Sequence, residues 1–166
     1  MKGMRRAALL LALVLLLSAC GSGETAELGG PVLWFCAGGE EDHGPALAPQ
    51  PYEGEVQPEA LLNALLAGPG QEGLYTPFPR GVTLRHWSWD EERPGVLLVS
   101  LSEQYGALTD VSLSLADYAI ELTLSQVEGV EAVEISDEGR HISYRRHPLL
   151  DAREAVLWDE LADDPS

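Results

Sequence analysis

Three consecutive carboxylates, Asp90, Glu91 and Glu92, are residues of a type that could support acid–base chemistry. Glycoside hydrolysis needs two carboxylates that face each other across a sugar. Here the carboxylates run directly into Pro94 and Gly95, a dipeptide that favours a turn. Neighbouring side chains on a tight turn point outward, so we interpret the run as a charged turn and not as a pair of catalytic acids.

The other residue types that catalyse reactions or bind metals lack the required spacing. His43, His86, His141 and His147 form neither a His-Glu-x-x-His motif nor a pair four residues apart on a helix. The sequence also lacks a Gly-x-Ser-x-Gly nucleophile elbow. We therefore predict that the protein is not an enzyme, holds no metal and needs no cofactor.

Trp87 and Trp89 are candidates for a contact surface. Two residues apart on a strand, their side chains share one face of the sheet, and strict alternation places Arg85 on the same side. If that face meets the helices, the indoles belong to the core. If it faces water, the three side chains form a strip suited to a partner protein or to a sugar ring.

The first nineteen residues have the parts of an export signal. Lys2, Arg5 and Arg6 form a basic start, an apolar run covers residues 7–17, and small residues follow. The apolar run has eleven residues, whereas a membrane-spanning helix needs about 20. The run is therefore too short to be a permanent membrane span. Because a basic flank stays in the cytoplasm, we predict that everything beyond it is exported.

The run Leu17-Ser18-Ala19-Cys20 resembles the lipobox of bacterial lipoproteins. The resemblance implies that residues 1–19 are cleaved as a signal peptide and that Cys20 carries a lipid anchor, with palmitate among its acyl chains. It places the protein at the extracytoplasmic face of the cell membrane, with residues 20–31 as a flexible tether. An ordinary secretory signal followed by a chance cysteine is the alternative.

Cys36, the other cysteine, would then have no partner for an intramolecular disulfide. It ends an apolar run that reads as a buried strand, so we expect it to pack as a small hydrophobic residue.

The charge balance limits the partners. The chain has 27 acidic and 10 basic residues, and three of the basic ones lie in the predicted signal, so the mature chain would carry −20. Such a surface repels nucleic-acid phosphates and anionic lipid headgroups, and it attracts basic partners. We predict that nucleic acid is not a ligand, and that the membrane is reached only through Cys20.

Periodicity and turn residues predict two helices among short strands. The first helix begins near Pro58, with leucines on one face. The second begins near Ser112 or Ser114, with Ser114 and Asp117 spaced as a capping box. A short terminal helix is predicted over residues 151–161. The predicted strands are a central Val32–Ala37, an edge or extended segment over residues 46–56, a hairpin of residues 82–89 and Val96–Leu101, a strand over residues 130–135 and a further one over residues 141–144.

This order predicts a single α+β domain of β-β-α-β-β-α-β sequence, with two helices packed on one face of a mainly antiparallel sheet.

Five segments in this order resemble the GerM-type (GerMN) domain of bacterial sporulation and spore-germination lipoproteins. They are Leu-Leu-Asn-Ala-Leu-Leu-Ala-Gly-Pro at residues 61–69, Glu-Gly-Leu at 72–74, Pro-Arg-Gly-Val-Thr-Leu at 79–84, the valine-rich run at 95–102, and Thr-Leu at 123–124 followed by Gly-Val at 129–130. The resemblance places this domain at residues 32–147, followed by an acidic tail at 148–166. The chain departs from the family in its longer, charged hairpin linker, in Trp87 and Trp89, and in carrying one copy.

The resemblance implies a non-catalytic module that binds an envelope protein, and it leaves self-association to a homo-oligomer open. Trp87, Trp89 and Arg85 are the candidate contact residues. A peptidoglycan-binding or glycan-binding module that uses the tryptophans is the rival interpretation.

Overall fold

The structure, a computed structural model, describes residues 29–38, 46–138, 140–141 and 149–150. The predicted signal peptide, Cys20 and the predicted terminal helix over residues 151–161 lie outside the described residues. What the sequence predicts for these segments therefore stays a prediction.

A three-stranded antiparallel sheet contains the first part of the chain. Its strands are β1 (Val32–Ala37), β2 (Ala46–Pro51) and β3 (Leu74–Tyr75), in the order β2-β1-β3. The predicted central position of β1 is confirmed, because it pairs with β2 on one side and with β3 on the other. The prediction of an edge strand for β2 is also confirmed, as its prolines require.

A second sheet contains β4 (Leu84–Trp89), β5 (Val96–Leu101), β6 (Ala132–Asp137) and β7 (Arg140–His141) in that order, and β8 (Leu149–Leu150) also pairs with β6. The predicted hairpin is confirmed, since β4 and β5 are antiparallel. The α+β class is confirmed as well, but the strands are divided between two sheets. In addition, β5 and β6 are parallel, because a helix connects them.

Two α-helices and one short 3-10 helix complete the described part. They are α1 (Pro58–Ala67), the 3-10 helix Glu103–Ala107 and α2 (Asp110–Leu124). Pro58 lies in the first turn of α1, as predicted, where a missing N–H leaves no hydrogen bond unmade. Neither α-helix in the described part of the chain has the length and apolar character that a membrane crossing would require.

The predicted capping box is wrong, because α2 begins earlier than expected. Thr109 occupies the N-cap position and Asp110 is the first helical residue. Ser114 therefore lies inside the helix, where its hydroxyl donates to the Asp110 carbonyl oxygen at 3.2 Å. Asp117 is buried inside the helix as well, and its carboxylate accepts a hydrogen bond from the Tyr105 hydroxyl at 2.6 Å.

The core lies around α2, which contacts α1 and strands of both sheets. Its apolar side chains pack with leucines of α1 and with the inward-facing residues of β1, β5 and β6. Tyr105 is also fully buried in this core, so its hydroxyl needs a partner inside the protein. Asp117 supplies that partner.

Side chains at the end of α2 complete the hydrogen bonding of β1. The Gln126 side-chain amide donates to the Val32 carbonyl oxygen at 2.7 Å, and its oxygen accepts from the Val32 N–H at 2.8 Å. The Thr123 hydroxyl oxygen accepts from the Trp34 N–H at 3.2 Å. These bonds join the first sheet to the helix that connects the strands of the second.

Replacing Tyr105 by Phe tests the buried hydrogen bond to Asp117. We expect Tyr105→Phe to lower the free energy of unfolding by about 1–3 kcal/mol, because the buried Asp117 carboxylate loses one hydrogen bond while the ring still fills its site. Urea unfolding of the whole chain, followed by circular dichroism, measures the change. The matched control is Tyr75→Phe at an exposed tyrosine, for which we expect a change within about 0.5 kcal/mol. Equal effects of the two variants would contradict the assignment.

Candidate binding groove

An open groove of about 450 Å³ lies where the edge of the second sheet meets the ends of the two helices. One wall is formed by the indoles of β4. A second wall is the segment that enters α1, and a third is the segment that leaves α2. The lining residues are Val56, Gln57, Pro58, Trp87, Trp89, Gln126, Val127 and Glu128.

The two tryptophans lie on the face of β4 that is directed toward the core. Trp87 is paired with Val99 and Trp89 with Leu97, and both partners are buried. Trp87 is half-buried and packs against the core, whereas Trp89 is 42% exposed. The structure thus brings both to one groove, with one indole mostly structural and the other accessible.

Arg85 does not join them. The register between β4 and β5 shifts between Leu84 and His86, so an extra residue interrupts the alternation that placed Arg85 beside the tryptophans. Its guanidinium instead lies 3.2 Å from the Glu138 carboxylate, with the Arg85 side chain 54% exposed. A contact role for Trp87, Trp89 and Arg85 stays a prediction, and the groove contains only the first two.

The polar groups of the groove differ in their availability. The Gln126 amide lines the groove, but its nitrogen donates to the carbonyl oxygens of Val32 and Thr123 and its oxygen accepts from Val32. Glu128 is exposed. An incoming ligand therefore meets the indole faces, the exposed Gln57 and the Glu128 carboxylate, while Gln126 holds β1 to the end of α2.

Sequence reasoning identified the tryptophans but missed the rest of the groove. The segment before α1 and the segment after α2 are separated by almost 70 residues, and no local pattern shows that they meet. Gln126 follows the last turn of α2, a position where a polar residue is ordinary. Nothing in the local sequence therefore predicts its hydrogen bonds to β1, which form only when the chain has folded.

Neither His86 nor Cys36 lines the groove. His86 is exposed on β4. His141 lies in β7, and His43 and His147 lie outside the described residues. Among the side chains that the structure describes, no three His, Cys, Asp or Glu residues are grouped to hold a metal ion. Cys36 is buried, and burial raises the pKa of its thiol, which disfavours the reactive thiolate.

The carboxylate of Asp90 stabilises the turn between β4 and β5. It accepts the backbone N–H groups of Glu92 at 2.8 Å and Arg93 at 3.0 Å, and Arg93 Nε donates to its second oxygen at 2.6 Å. Arg93 also donates to Glu134 on β6 at 2.6 Å. Glu91 and Glu92 are exposed, so the interpretation of this run as a charged turn agrees with its geometry.

Comparison with protein families gives one match. The family described as "Germane: Sporulation and spore germination" matches residues 37–143, which is more than half of the chain. Comparison with curated protein sequences gives no match.

Solved structures share the fold. The tandem GerMN domains of the sporulation protein GerM from Bacillus subtilis superpose with a TM-score of 0.58 at 16% identity, covering 82% of this chain and 50% of that one. The chain therefore spans half the length of the tandem structure. The first GerMN domain of the same protein superposes with a TM-score of 0.53 at 13% identity, covering 75% of this chain and 98% of that one.

The Asp90 turn predicts a pH-dependent effect on stability. Hydrogen bonds from the Glu92 backbone and the Arg93 side chain lower the pKa of Asp90 from its ordinary value of 3.8. A carboxylate with a lowered folded-state pKa stabilises the protein above its unfolded-state pKa, and this contribution is lost as the pH falls through the folded-state value. We expect Asp90→Asn to lower the urea midpoint at pH 7, with a difference from wild type that shrinks below pH 3.8.

Glu91→Gln, at the exposed neighbour, is the control and should leave the midpoint nearly unchanged at both ends of the range. An Asp90→Asn difference that is the same at pH 7 and at pH 3 would show that the charge of Asp90 has no part in the turn.

Proposed function

The chain belongs to the Germane family of sporulation and spore germination proteins, and we propose that it is a membrane-anchored envelope lipoprotein whose GerM-type domain binds another protein without catalysis. In this proposal the domain acts in sporulation or spore germination. The lipid on Cys20 keeps it at the extracytoplasmic face of the membrane, and residues 20–31 give it freedom to reach a partner.

The groove is the observation that carries the interaction role. A half-buried Trp87 fixes the wall, and Trp89 presents a large apolar face to solvent. Tryptophan is enriched among the residues that dominate binding energy in protein interfaces, because it buries a large area with few rotatable bonds. The acidic surface around this aromatic wall favours recognition of a partner over self-association.

The anchor rests on the run from Leu17 to Cys20 and on the basic and apolar segments before it. Each buried methylene of an acyl chain contributes about 0.8 kcal/mol to membrane binding, and two chains give a stable attachment. A soluble acidic domain gains nothing from the bilayer surface itself, so the lipid accounts for the whole attachment.

A glycan is the second candidate ligand, because indole faces also stack on sugar rings. Two tryptophans on one wall of an open groove favour it. Retention of the purified protein on purified peptidoglycan, with no other protein present, would favour the glycan over a protein partner.

Replacing the predicted lipidated cysteine tests the anchor. We expect Cys20→Ser to abolish incorporation of radiolabelled palmitate and to move the protein from the membrane pellet to the soluble fraction, since oxygen cannot form the thioether. Cys36→Ala removes the only other sulfhydryl and should leave both label and sedimentation unchanged. Label that survives in Cys20→Ser would rule out this anchor.

A photocrosslinker at position 89 tests the binding role. We expect p-benzoylphenylalanine in place of Trp89 to capture an envelope protein, because this side chain is exposed in the groove. The same group in place of Tyr75, an exposed aromatic residue of the other sheet, is the control. Equal recovery of the partner from growing and sporulating cells would refute the sporulation role, and equal capture from both positions would refute the groove.

A further inference from the structure

The outer edge of β4 is the feature that defines what the groove can hold. Within the described strands, β4 is the last strand of its sheet and pairs only with β5. An edge strand offers backbone N–H and C=O groups to any extended chain that lies beside it.

The hydrogen-bond pattern shows which residues offer these groups. The Asp90 N–H donates to the Val96 carbonyl oxygen at 3.0 Å, so this facing pair is hydrogen-bonded. Hydrogen-bonded and non-hydrogen-bonded pairs alternate along an antiparallel ladder. Ser88 is therefore bonded to β5, whereas the N–H and C=O groups of Trp87 and Trp89 point away from β5, toward the outer edge.

The outer edge of β4 and the groove thus share the same two residues, Trp87 and Trp89. The side chains of Trp87 and Trp89 line the groove, and their backbone groups face outward along β4. A chain paired with this edge would direct every second side chain to the face of the sheet on which the groove opens. The same chain would satisfy the exposed backbone groups of β4.

The charges around the groove indicate which kind of partner segment would bind there. Glu128 lines the groove, and the exposed Glu55 and Glu59 flank the residues that form its α1 wall. Of the arginine side chains that the structure describes, Arg85 is paired with Glu138, Arg93 is bound by Asp90 and Glu134, and Arg80 is exposed. None of these three arginines lines the groove. The surroundings of the groove are therefore negative, and indole faces attract Lys and Arg by cation–π interaction.

We propose that β4 binds an extended, basic segment of a partner protein as an added strand, with Trp87 and Trp89 receiving its alternate side chains. This inference rests on the proposed function and specifies the partner segment. A second copy of this chain would bring the same negative charge to the edge and be repelled. A glycan would leave the backbone groups of β4 unused.

Amide hydrogen exchange tests the added strand. The full chain, as isolated from producing cells, is titrated with an acetylated, amidated octapeptide of alternating Lys and Val and followed by residue-resolved NMR. We expect the amide protons of Trp87 and Trp89 to exchange at least tenfold more slowly with saturating peptide, because both become hydrogen-bonded. The Ser88 amide, already bonded to β5, should change little and is the internal control.

Matched peptides and variants separate backbone pairing from charge. N-methylation of alternate peptide residues on the pairing edge should abolish the protection, whereas methylation on the opposite edge should not. A Glu and Val peptide should bind at least tenfold more weakly at low salt. Glu128→Lys should weaken binding of the basic peptide several-fold, while Glu103→Lys, an exposed acidic residue beyond the far end of β5, should not.

Trp89→Ala should weaken binding about tenfold, as for a central aromatic contact. Tyr75→Ala is the control at an exposed aromatic residue of the other sheet.

The inference would be overturned if millimolar peptide gave no protection, or if the acidic peptide protected equally well. It would also be overturned if protection appeared without peptide as the protein concentration rose, because a second copy would then occupy the edge. Perturbation of the indoles by peptidoglycan fragments, but not by the peptide, would overturn it as well. Crosslinking of an envelope protein at position 89 without amide protection would refute the added strand and leave the proposed function standing. Amide protection without any envelope partner would support the added strand and refute the function.

Discussion

The burial of α2 is the constraint on which the rest of the structure depends. This helix contacts α1, β1 and β6, and its middle and last turns are almost wholly enclosed. Polar side chains in these enclosed turns cost free energy unless they are hydrogen-bonded inside the protein. Asp117 meets this need with Tyr105, and Thr123 meets it with the backbone of β1. Asp117 and Thr123 of α2 therefore hold the 3-10 helix and β1 against this helix.

The same helix determines the topology of the second sheet. Because α2 connects β5 to β6, these strands run parallel, while the short turn at Asp90 returns β4 to β5 as a hairpin. That arrangement leaves β4 at the edge. The end of α2, held to β1 by Gln126, then lies opposite the start of α1, and the groove forms between these ends and β4. The groove is thus a consequence of the packing of α2.

Local patterns predicted the elements better than their assembly. The leucine face and Pro58 predicted α1. An apolar run followed by Gly38 predicted β1, and an apolar run preceded by Gly95 predicted β5, because these signals lie within a few residues of each other. The division into two sheets, the early start of α2 and the register shift beside Arg85 were missed. Each depends on contacts between distant segments, and Ser114 has the same spacing to Asp117 whether it caps a helix or lies inside one. Of the groove, the sequence predicted the shared face of Trp87 and Trp89 and nothing else.

The two indoles differ in burial, and this difference affects how a functional role can be tested. Trp87 packs against the core, so its removal would alter the stability of β4 together with any binding, whereas Trp89 is exposed enough to be changed with less effect on the fold. An anchor at Cys20 would add a second constraint. A tether over residues 20–31 would reach at most about 40 Å. Anionic headgroups would repel the acidic domain only within about 8 Å of the bilayer surface, because salt screens charges at longer distances. With such an anchor and the proposed basic partner, repulsion from the bilayer and attraction to that partner would act in the same direction, because both would leave the groove open to a chain that approaches from outside the membrane.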